Sequence, residues 1–277
     1  MPTEIPVVGK AALGYDGIVT ATNVAFLTLF LPPSDALTGA PRALETATRQ
    51  ALSALDRSQV DTVVMVDSSW RSRTLSVSLP TDPAGRHLAE AVRAELAERD
   101  FWPGPADPAW EATARRHFAI WQHDAPTALV AVSVPPHTPD RAMAVGEAIA
   151  AACATMPGNT ALVVTGAITA GHERSSEGPL GFEQALRQLL EQAAGPEILN
   201  VGAELWIGGR PEAELGHLFV LMGAAPGRTA TYLAEWQSAG AAYAVISFGE
   251  APALPPLAPS ASPTIFRLTL KGESPSA

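Results

Sequence analysis

Residues 61–70 run Asp-Thr-Val-Val-Met-Val-Asp-Ser-Ser-Trp. Thr62–Val66 is a continuous apolar run, too short for a helix and rich in β-branched side chains. Such a run, without polar alternation, is expected of a strand covered on both faces. It ends abruptly on an acid and two serines, Asp67, Ser68 and Ser69, so its carboxyl end is polar. The same grammar extends outward in both directions. Upstream, Val24–Leu31 (VAFLTLFL) reads as a buried strand and Ala43–Leu55 carries apolar residues at helical spacing. Downstream come Leu75–Leu79, which alternates, the helical Ala84–Ala97, the strand Ala128–Val134 and the helix Arg141–Ala154. Thr160–Thr165 then reads as a strand and Phe182–Ala193 as a helix. Strands alternating with helices predict an α/β fold: a single domain over 1–277 whose mostly parallel or mixed central sheet is covered by helices on both faces.

Two segments break the pattern. Phe101–Trp110 (FWPGPADPAW) has three prolines and two tryptophans and reads as a loop packed on the body through its indoles. The Pro-rich segment Ala251–Pro263 reads as an extended surface connection to a last strand at Thr264–Leu270. No repeat recurs at a fixed period.

Composition narrows the function classes. The chain has 277 residues, 47% of them hydrophobic and 17% charged, with a formal net charge of −10. That is enough apolar residue for a sizeable core. The acidic field argues against nucleic acid and anionic membrane as partners. The single cysteine, Cys153, has no second thiol to pair with and lies in an alanine-rich helical stretch, so it reads as a buried structural thiol. Met1–Lys10 shows no basic-then-apolar leader, and the early apolar run is far shorter than the ~20 residues of a membrane helix. The expected location is the cytoplasm.

Ligands of open α/β sheets bind beyond the carboxyl ends of the strands. Those ends here are Leu31-Pro-Pro-Ser34, Val66-Asp-Ser-Ser-Trp70 and Thr165-Gly-Ala-Ile-Thr-Ala-Gly-His172, with Glu212–His217 opening a later helix. In order and spacing these segments resemble the class III extradiol ring-cleavage dioxygenases, the superfamily of the catalytic B subunit. Asp61–Trp70 matches that family's strand ending in Ser-x-His-Trp, and Thr165–Ala170 its Ser-Gly-x-Leu-Ser/Thr-His element. Ala213-Glu-Leu-Gly216 with Gly223-Ala224 resembles its Glu and following helix, and Gly240–Phe248 its closing strand. The likeness spans about Val24 to Phe248.

The resemblance implies an Fe(II) site of two histidines and one glutamate, with a further histidine as acid or base. In this chain the first ligand position falls near Leu31 or Pro32, the second on Ser69 and the acid/base position on Ala170; only Glu214 keeps its type. The usual machinery is therefore expected to be absent. Pro32, Ser69, Trp70 and Ala170 are then expected to line a pocket. His172, two residues beyond Ala170, is the candidate for a displaced acid/base. Glu214 and His217, at i and i+3, share a helix face once the helix has begun and form, with His172, the candidate metal set. Each also has an ordinary reading: a loop histidine beside Glu173, a carboxylate at a helix start and a core or surface histidine.

His117 and His123 read as structural, because no carboxylate stands near them at a ligand spacing; His137, in Val134-Pro-Pro-His-Thr-Pro139, follows a strand and could reach the pocket, and its ordinary reading is also structural. A serine hydrolase built on Ser68 or Ser69 lacks the Gly-x-Ser-x-Gly elbow, and Gly166–Gly171 is no phosphate-binding fingerprint. Two functions follow. The first is a homologue of the ring-cleaving enzymes without iron ligands and without cofactor, acting as a subunit beside an active paralogue or as a binder of a small aromatic molecule, in a homo-oligomer or a heteromer. The alternative is an active non-haem Fe(II) dioxygenase with a rearranged site.

Overall fold

Strand β2 (Val60–Asp67) forms where residues 61–70 place it, and its side chains alternate between two apolar layers. Val64 and Val66 face one layer; Val63 and Met65 face the other. That division explains the unbroken apolar run, because neither face meets water. The computed structural model describes residues 26–67, 70, 73–170, 186–188, 190–192, 213–238 and 241–249, with the side chains of 169–170, 213–215 and 237–238 outside that description. Met1–Lys10, the segment 251–263 and the last strand expected at 264–270 lie outside the described residues.

Four parallel strands form the centre of the sheet: β1 (Phe26–Leu31), β2, β5 (Ala128–Ser133) and β6 (Asn159–Thr165), in the order β5-β2-β6-β1. β3 (Ser76–Val77) pairs antiparallel to β5, and β4 (Gly104–Pro105) extends that edge. At the other side β9 (Ala241–Phe248) runs antiparallel to β1 and to β7 (Thr169–Ala170), and pairs along its length with β8 (Ala230–Ser238). Among the described residues the sheet is thus mixed and nine-stranded. Register aligns the carboxyl ends of three neighbouring strands: Leu31 and Asp67 both stand opposite Thr165.

Helices cover both faces. α1 (Arg42–Arg57) buries Leu44, Ala47, Thr48, Ala51, Leu52 and Leu55, a helical stripe, against one layer, which α3 (Ala109–Ile120) joins through Ala114 and Phe118. α2 (Pro83–Ala97), α4 (Pro139–Ala154) and α5 (Ala213–Ala224) cover the other. α2 starts at Asp82, whose side chain accepts from the Gly85 amide at 2.7 Å, with Pro83 in the first turn where its missing N–H costs nothing. Each fully buried Val, Leu or Phe contributes about 1.5–3 kcal/mol, so the two layers supply most of the driving force.

One expectation needs correction. The 101–110 segment packs through one indole rather than two: Trp110 stacks on Trp70 with centroids 5.8 Å apart, while Trp102 is 80% exposed. α3 and β8 have no counterpart among the elements expected from sequence. Among the described residues no helix is long and apolar enough to cross a membrane.

α4 and α5 approach backbone to backbone. A Cβ on Gly146 would overlap the Val220 carbonyl oxygen, and one on Gly223 would overlap the Met143 carbonyl. The Gly223-Ala224 pair is therefore a packing requirement. Gly146→Ala and Gly223→Ala are each expected to destabilise the protein by about 1–3 kcal/mol or more, read as a lower urea midpoint. Ala at the open Gly216 (nothing lies within 4 Å of a Cβ there) should leave that midpoint unchanged or raise it.

Candidate functional site

The aligned strand ends carry a buried polar chain. Asp67, the last residue of β2, is 0% exposed. Its Oδ2 lies 2.5 Å from Nε2 of His117, on the buried face of α3. The approach is close without meeting the alignment of a hydrogen bond, so the contact is chiefly electrostatic. The other ring nitrogen, Nδ1, is 2.7 Å from Oγ of Ser34. Ser34 opens a single 3-10 turn (Ser34–Leu37) immediately after β1 and Pro32-Pro33. A carboxylate beside Nε2 favours the proton there, which leaves Nδ1 as the acceptor for the Ser34 hydroxyl. Three elements distant in sequence are thereby joined at one end of the sheet.

A cavity of about 180 Å³ opens beside this chain. Ser34, Leu37, Thr48, Arg49, Trp121 and Gln122 are among its lining residues. Trp121 is 2% exposed and packs against the His117 ring at a centroid distance of 5.5 Å. Its indole N–H has no acceptor among the described residues. Thr48 donates instead to the Leu44 carbonyl at 2.9 Å, and the Arg49 guanidinium to Gln122 Oε1 at 2.9 Å.

Of the residues expected at a pocket, Pro32, Trp70 and Ala170 fall among the described residues. Pro32 is buried at the end of β1, and Trp70 is buried under Trp110 with its carbonyl accepting from Ser133 Oγ at 3.0 Å; neither lines the cavity. Ala170 stands on β7, paired with Ala241 of β9. Ser69 and His172 lie outside the described residues, as does the side chain of Glu214. α5 has begun by Ala213, so Glu214 and His217 do share one helix, and His217 is buried. Among the described residues no three His, Cys, Asp or Glu side chains gather in a metal-binding group.

His117 was legible only as a structural histidine, because its partners are far away in sequence. One signal was available. Trp110, Ala114, Phe118 and Trp121 recur at helical spacing, and that stripe puts His117 beside Phe118 on the inward face. Elsewhere, His137 is held below its ordinary pKa by burial and, less, by the charge of Arg141.

No family model matches the chain, and no curated protein matches it. A crystal structure of an uncharacterized protein from Escherichia coli K12 is similar over 80% of this chain and 99% of its own, at 18% identity and a TM-score of 0.56. That likeness shows the shared α/β fold.

The lone thiol behaves as expected from its helix. Cys153 is buried on α4, and desolvation pushes its pKa up to about 12. The thiolate is the reactive form, so the folded protein should not react with a disulfide reagent at pH 8. One equivalent should react in denaturant. Rapid reaction of the native chain would place Cys153 nearer the surface.

Proposed function

We propose that the chain is a class III extradiol dioxygenase homologue that does not open aromatic rings by itself, and that it serves as a small-molecule binding protein or as the supporting subunit of an active paralogue. The motifs that carry the resemblance fall at the ends of β2 and β6 and along α5 and β9, on a fold of the α/β kind that the resemblance implies. The observation that carries the reading is the engagement of His117. It brings an imidazole to the carboxyl ends of β1 and β2, where the family keeps its iron ligands. Both of its nitrogens are taken, one by Asp67 and the other by Ser34. A ligating histidine needs one nitrogen free for the metal. The positions that the resemblance assigns to metal and acid/base histidines hold Leu31 or Pro32, Ser69 and Ala170.

An Fe(II) ring cleaver must bind diol and oxygen on one metal held by three side chains. A rearranged site would have to draw on Glu214, His217 and His172. The small-molecule half of the proposal rests on the cavity beside Ser34, large enough for a compact ligand.

Anaerobic loading with Fe(II), followed by oxygen and catechol or a carboxylated catechol, tests the reading through oxygen uptake and the ring-opened chromophore. The expected result is no product above the metal-only blank. Steady cleavage by the isolated chain that disappears in Glu214→Ala would overturn it and establish the rearranged enzyme.

A further inference from the structure

We propose that Ser34 is an acyl-accepting nucleophile, activated by His117 and Asp67, and that the adjoining cavity takes the acyl group of a short-chain ester. This goes beyond the reading above and does not rest on it. The order of contacts is that of a nucleophile, a base and a group that orients the base: Ser34 Oγ to His117 Nδ1 at 2.7 Å, and His117 Nε2 to Asp67 Oδ2 at 2.5 Å. Such a constellation is recognised by geometry and roles rather than by sequence position. The imidazole is turned relative to the chymotrypsin arrangement, with Nδ1 towards the serine, but either ring nitrogen can relay a proton.

The surroundings suit acyl transfer. Pro33, at φ −56° and ψ 147°, fixes the entry to the 3-10 turn and so the position of Ser34. Ser34 lines the cavity while its hydroxyl stays bonded to the base. Trp121 lines the same cavity and stacks on the His117 ring at a centroid distance of 5.5 Å, which holds the imidazole against Ser34. Leu37 and Ile120 add apolar wall, and the volume of about 180 Å³ restricts the acyl chain to a few carbons.

The step balances without a cofactor. The Ser34 hydroxyl proton passes to His117 Nδ1 as the Oγ–carbon bond forms at the ester carbonyl. The carbon–oxygen bond to the leaving alcohol breaks, and that alcohol takes the proton from Nδ1. Water then adds to the acyl-serine and gives its proton to Nδ1. The Oγ–carbon bond breaks, the carboxylic acid leaves, and the proton returns to Ser34.

The test uses the folded full-length chain with a fluorescent fluorophosphonate, the adduct being located by peptide mass spectrometry. One adduct, on Ser34, is expected. It should be absent in Ser34→Ala, and labelling should be slower by about 100-fold or more in His117→Gln. p-Nitrophenyl acetate should be hydrolysed and p-nitrophenyl decanoate should not. The wild-type measurement decides even if His117→Gln fails to fold. A folded wild-type chain that takes no label, labels at another residue or remains labelled as Ser34→Ala would overturn the proposal. Ser34, His117 and Asp67 would then be a polar lock alone.

Discussion

A carboxylate with no contact with water stands at the end of the sheet's central strand. Asp67 is carried there by a register that allows little alternative: β2 is buried on both faces, and a slip by one residue would exchange its two apolar sets. Ionised groups are tolerated in such places only when they are paired. His117 supplies the partner, and supplying it dictates much else. α3 must lie over β2 with its stripe of Ala114 and Phe118 inward. The chain leaving β1 must turn at Pro32-Pro33 so that Ser34 reaches the second ring nitrogen. Trp121, next along the same face, stacks on the imidazole and closes one side of the cavity.

The same constraint shapes what this end of the sheet can do. A histidine clamped between a carboxylate and a hydroxyl is spent as a metal ligand but well placed as a proton relay. Residues brought together at the carboxyl ends of parallel strands are where an α/β fold ordinarily keeps its chemistry. On the proposed relation to ring-cleaving enzymes, the positions of their histidines hold other residues, and this end of the sheet carries a hydrogen-bonded group of different capability. Supporting a paralogous subunit and binding a small molecule in the cavity are both compatible with that arrangement.

The architecture was largely legible because burial on both faces leaves a mark that needs no partner to interpret. Thr62–Val66 and Thr160–Thr165 could be assigned as strands from their own composition. α1 and α4 could be read from spacing. What escaped depends on contacts distant in sequence. α3 follows a Pro-rich segment and carries arginines as well as apolar residues, so its stripe is weak by eye. β8 mixes exposed and half-buried positions, as suits a strand paired, among the described residues, with β9 alone. His117 was seen and taken as structural; its ring nitrogens find Ser34, 83 positions away, and Asp67, and no local spacing rule reaches that far.

A double-mutant cycle between Asp67 and His117 tests the central pairing most directly. Urea unfolding of Asp67→Asn, His117→Gln and the double variant isolates the energy that the two side chains share. A coupling of about 1–3 kcal/mol is expected, since the two side chains are in direct contact at a buried site. Additivity within about 0.5 kcal/mol would contradict it and show that the carboxylate at the end of β2 is held by something else.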